Sequence, residues 1–450
     1  MAPSLNLTES TKMVDFSPLK AWRYNPEKVR QGDVLAPPYD VINDSKQQTL
    51  YERSPFNCIR LILNKQSPDD SAQDNRYSRA RGHFKAWQNE KVLIQEERPA
   101  FYVYRQTFKE KGGEKARTRT ALLGRLQLED FESGRVVPHE KTLKGPREDR
   151  RKLLEETGTN FSPIFGLYSD DTGIVKSKLE QATSKKAIFD VSDDEGTRHA
   201  VWVLDDPDDI AVVHAQISSK AVYIADGHHR YQTALDFSKK KRAQKSAVNE
   251  ESIDSDYVLT ALVAFEDPGI VLYPTHRLIR SAIQAGKEIF KDSGAALKPL
   301  KEIFEIKEMT AEQLQNELKR EDQETSFGLA LSQKNYYLRV KNWTKAKEQM
   351  DAGKPDVWYA LDVNVITHLI LKKLWKIPET TWETVIGYTH CCEEAEKAIS
   401  EKQAVAAFLL KAPKIRILQE MGEVRELMPQ KSTYFYPKLA SGIVFYHHQS

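Results

Sequence analysis

The sharpest chemical pattern in the sequence places an acid, two imidazoles and a guanidinium directly after a short apolar stretch. The run is IADGHHRY, residues 224–231. Asp226-Gly227 is a turn signal after the strand-like residues 221–225, and residues 231–242 carry a helical pattern. Backbone N–H groups at a helix start attract anions, and glycine allows a ligand close to the backbone. The run predicts a phosphate-binding turn, with a capped turn and surface histidines as the structural alternative.

The side chains of this run supply the groups that a phosphate site needs. Histidine and arginine donate charge-assisted hydrogen bonds to phosphate oxygens. Asp226 can cap the helix or help to hold Mg²⁺ through oxygen ligation. We therefore treat Asp226 as a candidate catalytic residue and metal ligand. The candidate nucleotide-binding residues are Gly227, His228, His229, Arg230 and Thr233.

A second pattern, VPHEKT at residues 137–142, lies in a loop rich in lysine and arginine. Glu140 is a candidate general base, and His139 a candidate catalytic residue beside it. No histidine follows at helical spacing, so this is not a zincin motif. His139, Glu140, His228 and His229 could together bind a metal ion, which keeps a metal-dependent hydrolase open as an alternative. A solvated charged loop is the other alternative.

Three further cations are candidates for the same site. Arg150 belongs to the basic stretch after Glu140. Arg277 lies in Thr275-His276-Arg277, which we interpret as ending a strand and offering a cation to a carboxylate or phosphate. Lys431 lies in MPQKSTYFYPK (428–438), where aromatic residues can line a pocket or pack in a core. Walker and Rossmann glycine loops, the G-x-S-x-G elbow and the kinase signature set are absent from the sequence.

The elements that must position these residues alternate between helices and strands. Residues 100–108 and 118–128 predict a hairpin around Gly112-Gly113, and residues 71–91 predict an amphipathic helix. Residues 257–265 predict a buried strand, and a helix is expected to begin near Pro146. Past residue 280 we expect helices near 281–291, 311–320, 357–374 and 392–400, and strands near 327–332, 336–341, 404–410, 433–437 and 443–447. The mixture, without a regular βαβ rhythm, predicts an α+β fold.

Length and composition limit the classes of protein that remain. The 450 residues predict two or three domains, and charged residues form 29% of a chain with a net charge of only +2. That balance argues against nucleic-acid binding of a wholly electrostatic kind. Three cysteines cannot build a disulfide framework, which indicates a reducing compartment. Without a signal peptide or a long apolar window, we expect a cytoplasmic protein that does not enter the membrane.

Several motifs in order resemble an uncharacterised family. They are APPYDVI (36–42), VVPHEKTLKGPREDR (136–150), FSPIFGLY (161–168), IADGHHRYQTAL (224–235), PTHRLI (274–279) and MPQKSTYFYPK (428–438). Together they look like the family catalogued as domain of unknown function 1015, over about residues 14–447. That family label names no reaction.

A PHE motif followed by DGHHR also resembles the ParB/sulfiredoxin fold, and within it the free-serine kinases. The resemblance implies phosphate transfer from ATP or ADP, with Mg²⁺, to the hydroxyl of L-serine or a related compound. It implies that Glu140 takes the hydroxyl proton and that residues 226–230 hold the nucleotide phosphates and the metal. The long separation of the two motifs implies an insertion at about residues 165–215.

The resemblance also sets the expected domain organisation. We expect a flexible tail (1–13), a ParB/sulfiredoxin-like nucleotide-binding domain with an insertion (14–283) and a C-terminal α+β domain (284–450). A ParB-like nucleotide-binding regulatory module is the alternative within this fold. Residues 231–330 show no helix-turn-helix pattern, which argues against a DNA-binding partner.

Overall fold

A computed structural model describes most of the chain. The described residues are 14–110, 113–140, 144–244, 252–281, 287–320, 324–331 and 334–448. The expected tail at residues 1–13 and the expected turn residue Gly112 lie outside them. The chain divides into two compact units. The first unit comprises residues 1–138, 142–270 and 437–450, and the second comprises residues 139–141 and 271–436.

Residues 14–270 contain twelve strands and eight α-helices among the described residues. The strands are β1 (Phe16–Ser17), β2 (Trp22–Tyr24), β3 (Leu93–Gln95), β4 (Phe101–Lys109), β5 (Ala116–Gln127), β6 (Val136–Val137), β7 (Thr159–Asn160), β8 (Ile164–Tyr168), β9 (Phe189–Ser192), β10 (Arg198–Leu204), β11 (Val222–Asp226) and β12 (Tyr257–Ala264). The helices are α1 (Gln31–Val34), α2 (Asp44–Arg53), α3 (Ile59–Ile62), α4 (Arg76–Asn89), α5 (Lys144–Thr157), α6 (Ile174–Thr183), α7 (Pro207–Ser218) and α8 (His228–Gln244).

The later part of the chain adds strands and helices that are mostly shorter. The strands are β13 (Val271–Tyr273), β14 (His276–Arg280), β15 (Phe304–Met309), β16 (Ser326–Leu331), β17 (Lys334–Val340), β18 (Ile386–Thr389), β19 (Ala404–Leu409), β20 (Tyr434–Tyr436) and β21 (Tyr446–His447). The helices are α9 (Ser293–Leu297), α10 (Ala311–Leu318), α11 (Trp343–Gln349), α12 (Asp356–Ala360), α13 (Asp362–Asn364), α14 (Trp382–Val385), α15 (Cys392–Ser400) and α16 (Ile417–Glu423), with a π-helix at Val365–Leu374.

The first unit is built on a mixed sheet of nine strands within the described residues. Its order is β6-β11-β8-β12-β5-β4-β10-β9, and β1 pairs with β5. β12 is almost continuously apolar, which is typical of a strand covered on both faces. β11 lies between β6 and β8, so its last residue, Asp226, is held at the end of a paired strand. The sheet buries Phe101, Leu122, Ile224 and Leu262 completely.

The second unit is built on an antiparallel sheet of six strands in the order β15-β17-β16-β19-β14-β18. Its core includes Phe327, Trp375 and Phe408, whose neighbouring rings pack with centroids 5.2–6.0 Å apart. β13 and β20 form a separate antiparallel pair, which joins the two ends of this unit along the chain.

The structure confirms the α+β prediction and several of its elements. The predicted hairpin is the antiparallel pair β4 and β5, and the helix predicted at 71–91 is α4. The helices predicted near 311–320 and 392–400 are α10 and α15. The segment interpreted as an insertion, 165–215, contains strands β9 and β10 and most of β8, all of which belong to the nine-stranded sheet.

Other elements differ from the prediction for local reasons. The helix predicted at 357–374 is interrupted at Leu361, whose backbone is extended, and resumes at Asp362. Part of the helix predicted at 281–291 lies outside the described residues, and Lys287–Phe290 forms a 3₁₀ turn before Asp292 caps α9. Residues 275–277 do not end a strand, because β14 begins at His276. The strand predicted at 443–447 is reduced to β21, which pairs with β7.

The sequence places the main domain boundary between residues 283 and 284, whereas the two units divide between residues 270 and 271. None of the helices in the described part of the chain is long and apolar enough to cross a membrane.

Candidate functional site

The turn between β11 and α8 has a backbone that requires glycine. Gly227 has φ of +92°, a left-handed conformation that side chains with a Cβ rarely adopt. A Cβ there would lie 2.9 Å from Arg230 Nη2, because the arginine folds back across the glycine. His228, which is buried, and His229, which is partly exposed, begin α8 directly afterwards. The predicted strand–turn–helix is therefore present, with the helix starting three residues earlier than the pattern at 231–242.

Asp226 holds two cations, one on each oxygen of its carboxylate. Arg230 Nη2 lies 2.9 Å from Oδ2, and Lys438 Nζ lies 2.6 Å from Oδ1. Burial raises the pKa of Asp226, but the charges of Lys438 and Arg230 outweigh it and hold the pKa well below its usual range. Two cations sharing one carboxylate leave an excess of positive charge at the start of α8.

Hydrogen bonds to the backbone carbonyls of residues 437 and 438 fix the position of Lys438. Gln106 Nε2 donates to the carbonyl of Lys438 at 3.0 Å, and Arg119 donates to the carbonyl of Pro437. Arg119 is itself 1% exposed and donates to Gln106 Oε1 at 2.5 Å. These contacts attach residues 437–438 to β4 and β5 of the first unit. The lysine on Asp226 is therefore positioned by a buried hydrogen-bond network.

Arg150, Arg230 and Thr233, three of the residues predicted from the sequence, line one pocket in the first unit. Its volume is about 50 Å³, which holds one or two water molecules and is far below the size of a typical ligand pocket. The Thr233 hydroxyl is buried and has no hydrogen-bond partner within the described residues. The pocket therefore brings two guanidinium side chains and an available hydroxyl to one place.

Arg150 is anchored by contacts on several sides. It is 8% exposed, donates to the carbonyl of Ile62 at 2.8 Å and pairs with its neighbour Asp149. Its guanidinium lies 3.9 Å from the ring centroid of Tyr39. Burial raises the pKa of Tyr39, while the charges of Arg150 and Arg230 oppose the rise. Tyr39 is thus a member of this neighbourhood that sequence reasoning did not select, although it lies in the quoted motif at 36–42.

His139 and Glu140 belong to the second unit. His139 is 1% exposed, and its Nε2 lies 2.8 Å from Thr433 Oγ1. The carbonyl of His139 accepts a hydrogen bond from Met428 N–H at 2.8 Å, and Glu140 forms a parallel bridge with Met428. The PHE motif is therefore attached to residues 428–433, another motif of the sequence.

Arg277 lies in the same unit and is 2% exposed. It donates to the carbonyl of Thr275 at 2.9 Å, and the ring centroid of Tyr388 lies 5.9 Å from its guanidinium carbon. Burial lowers the pKa of Arg277, and the charges of Tyr388, Asp362 and Glu140 oppose that effect. Asp362 was not selected from the sequence, because a lone acid before an apolar helix carries no motif.

Lys431, the remaining candidate, is exposed in a left-handed turn with φ of +56°. It has no hydrogen bond or ion pair within the described residues. The lysine of its motif that contacts a candidate site residue is the last one, Lys438.

The charge distribution around Asp226 does not suit a metal ion. Each of its oxygens already accepts a hydrogen bond from a cation, and these two positive charges oppose the approach of Mg²⁺. Among the described residues there is no group of three or more His, Cys, Asp and Glu side chains arranged to hold a metal. The four-residue set His139, Glu140, His228 and His229 proposed for a hydrolase is divided between the two units. We therefore assign no step to a protein-bound metal.

Comparison with known proteins gives one family and several distant structural neighbours. A family model described as "Protein of unknown function (DUF1015)" matches residues 16–364. No curated protein sequence matches the chain.

Similar solved structures include a free serine kinase variant in complex with AMP, at 13% identity and a TM-score of 0.33, covering 67% of this chain and 84% of that one. A conserved hypothetical protein from Pyrococcus furiosus matches at 14% identity and a TM-score of 0.31, covering 68% and 89%. SbnI from Staphylococcus aureus, with a C-terminal truncation, matches at 10% and 0.33, covering 69% and 83%. Since the family model covers well over half of the chain, the protein belongs to the family of unknown function DUF1015.

Proposed function

We propose that this protein is a nucleotide-dependent phosphotransferase that acts on the hydroxyl of a small molecule such as free L-serine. The observation that carries the proposal is the pair of cations, Arg230 and Lys438, held on Asp226 at the start of α8. The resemblance of the PHE and DGHHR motifs to ParB/sulfiredoxin-fold free-serine kinases supports the same assignment. On this proposal the first unit contains a ParB/sulfiredoxin-like core, and the protein acts in the cytoplasm.

The cluster in the first unit has the electrostatics that nucleotide phosphates require. Phosphoryl transfer depends mainly on positioning and on neutralising the charge that spreads over the phosphate oxygens. Arg230 and Lys438 are mostly buried, with side chains 15% and 13% exposed, so water screens them little. The N–H groups at the start of α8, a helix of seventeen residues, add donors for an anion. We assign ATP or ADP phosphates to this cluster.

The chemical step needs one base. The hydroxyl oxygen of the acceptor forms a bond to the terminal phosphorus of the nucleotide, and the bond from that phosphorus to the bridging oxygen breaks. The hydroxyl proton goes to a carboxylate, and the nucleotide leaves with one phosphate fewer. Following the motif resemblance, we assign the proton acceptor to Glu140.

The test is the formation of phosphoserine by the full chain. The protein is incubated with L-serine and either ATP or ADP, with Mg²⁺ supplied with the nucleotide, and products are followed by ³¹P NMR. We expect O-phosphoserine to appear with a matching amount of the shortened nucleotide. Nucleotide binding without any phosphorylated product would instead favour a ParB-like regulatory module. Absence of both binding and product would contradict the proposal.

Glu140→Gln tests the base. We expect turnover to fall by about 10²–10⁴-fold, because a general base contributes on that scale, while nucleotide affinity stays within about twofold. Glu308→Gln is the matched control, since Glu308 is an exposed carboxylate of the second unit whose ion pair within the described residues is with Lys334. Turnover of Glu140→Gln equal to that of this control would show that the base lies elsewhere.

A further inference from the structure

Arg277 is a buried cation without a carboxylate partner. It is 2% exposed, and no acidic oxygen lies within 4 Å of its guanidinium among the described residues. Its hydrogen bonds go to two backbone carbonyls, those of Thr275 at 2.9 Å and Gln430 at 3.5 Å. These two bonds use two of the five guanidinium N–H donors, and the other three have no acceptor among the described residues.

Burying an arginine without an opposite charge destabilises the folded state of a protein. Arginine cannot be deprotonated at ordinary pH, so burial does not remove its charge. Buried charges are normally paired, because desolvation costs several kcal/mol unless an opposite charge offsets it. The ring of Tyr388, a side chain that is 42% exposed, has its centroid 5.9 Å from the guanidinium carbon of Arg277. Burial without an acidic partner is expected of a cation whose counter-charge is supplied by an anionic ligand.

Asp362 is the complementary group of the same unit. Its carboxylate accepts the N–H of Val363 at 2.7 Å and has no ion pair within the described residues. Burial raises its pKa to about 6, while the charges of Arg277 and Lys411 oppose the rise. Arg277 and Asp362 therefore influence each other electrostatically without being joined in a salt bridge. A ligand carrying both a carboxylate and an ammonium would satisfy the two groups at once.

We propose that Arg277 and Asp362 bind the zwitterionic head group of an α-amino acid, with Arg277 on the carboxylate and Asp362 on the ammonium. The inference rests on the proposed function and specifies how its acceptor is recognised. Glu140 is one of the charges that act on Arg277, so the head group lies within electrostatic reach of the proposed base. An arginine fork suits a carboxylate, because two parallel N–H bonds fix its orientation.

The first experiment is a series of ligands titrated into the full wild-type chain by calorimetry. The ligands are L-serine, ethanolamine, which lacks the carboxylate, and 3-hydroxypropionate, which lacks the ammonium. We expect L-serine to bind at least tenfold more tightly than either analogue, since each lost ionic contact removes a charge-assisted hydrogen bond. Ethanolamine binding as tightly as L-serine, or no L-serine binding at all, would overturn the inference.

The second experiment uses variants. Arg277→Met and Arg277→Lys should weaken L-serine binding by about 100-fold and about tenfold, and Asp362→Asn should weaken it by about tenfold. Arg280→Met is the matched control, because Arg280 lies on the same strand, β14, but is exposed and donates to the Thr384 carbonyl. Thermal unfolding verifies that each variant folds, and the wild-type ligand series decides the matter if Arg277→Met does not. L-serine affinity in Arg277→Lys and Asp362→Asn equal to that of the control would also overturn the inference.

The two proposals fail separately. If L-serine binds in the predicted order but no phosphoserine forms, the proposed function is wrong and the head-group site stands. If ethanolamine is phosphorylated as well as L-serine, the transferase assignment stands and the head-group site is wrong.

Discussion

The two units each contain a cluster of charged side chains, and the clusters differ in whether those side chains form ion pairs. In the first, Arg230 and Lys438 share the carboxylate of Asp226, so both cations are ion-paired while one positive charge remains in excess. In the second, Arg277 and Asp362 lie within electrostatic reach of each other but form no ion pair with any described residue. The first cluster is held together by its own ion pairs, whereas the second keeps a cation and an acid that have no ion pair among the described residues. Folding stability should therefore respond differently to substitutions in the two clusters.

The largest expected effect is on folding stability. Asp226→Asn leaves Arg230 and Lys438 without their carboxylate, and breaking a mostly buried pair costs about 3–5 kcal/mol of unfolding free energy. Arg277→Met removes a buried charge that has no partner, so the unfolding free energy should stay the same or increase. Urea denaturation of both variants beside wild type measures the difference. Equal destabilisation by the two substitutions would contradict the proposed difference in ion pairing between the two clusters.

The next effect is the pH dependence of stability, which has opposite sign at the two acids. Asp362 has a folded pKa of about 6, above its unfolded value, so its neutral form favours folding and stability falls as pH rises from about 4 to about 6. The lowered pKa of Asp226 gives a contribution that is present above about pH 4 and is lost below it.

Asp362→Asn should remove only the first of these slopes, a change of about 2 kcal/mol between pH 4.5 and pH 7. Urea denaturation of the variant and wild type at both pH values gives the double difference, in which other titrating groups cancel. An identical pH difference in the two proteins would contradict the assignment.

The smallest expected effect concerns the turn that carries Arg230. Gly227→Ala introduces a Cβ at positive φ and 2.9 Å from the guanidinium, which should cost about 1–2 kcal/mol of stability and move the arginine. Gly173→Ala is the matched control, because that glycine has φ of +68° but no atom near the added Cβ. Nucleotide affinity should weaken only in Gly227→Ala. Equal nucleotide affinity in both variants would show that Arg230 does not contribute to nucleotide binding.

Features that depend on residues close together in the sequence were predicted, whereas contacts between residues far apart in the sequence were missed. The hairpin β4–β5 and the β11–Gly227–α8 turn were predictable, because apolar periodicity and turn residues act over short stretches. Lys438 reaches Asp226 across 212 residues of sequence, and no local pattern distinguishes it from Lys431. Likewise, the pairing of Glu140 with Met428 joins residues far apart in the chain. The residue types were informative about chemistry, whereas their partners depend on tertiary packing.

The central claim is that the Asp226 cluster binds nucleotide phosphates, and Lys438→Met tests it most directly. ATP and ADP are titrated into wild type, into Lys438→Met and into Lys178→Met, a control in which the lost lysine pairs with Asp209 elsewhere in the first unit. Losing one charge-assisted contact should weaken nucleotide binding by about 10–100-fold in Lys438→Met and leave the control at wild-type affinity. Wild-type affinity in Lys438→Met, with the protein folded, would contradict the account.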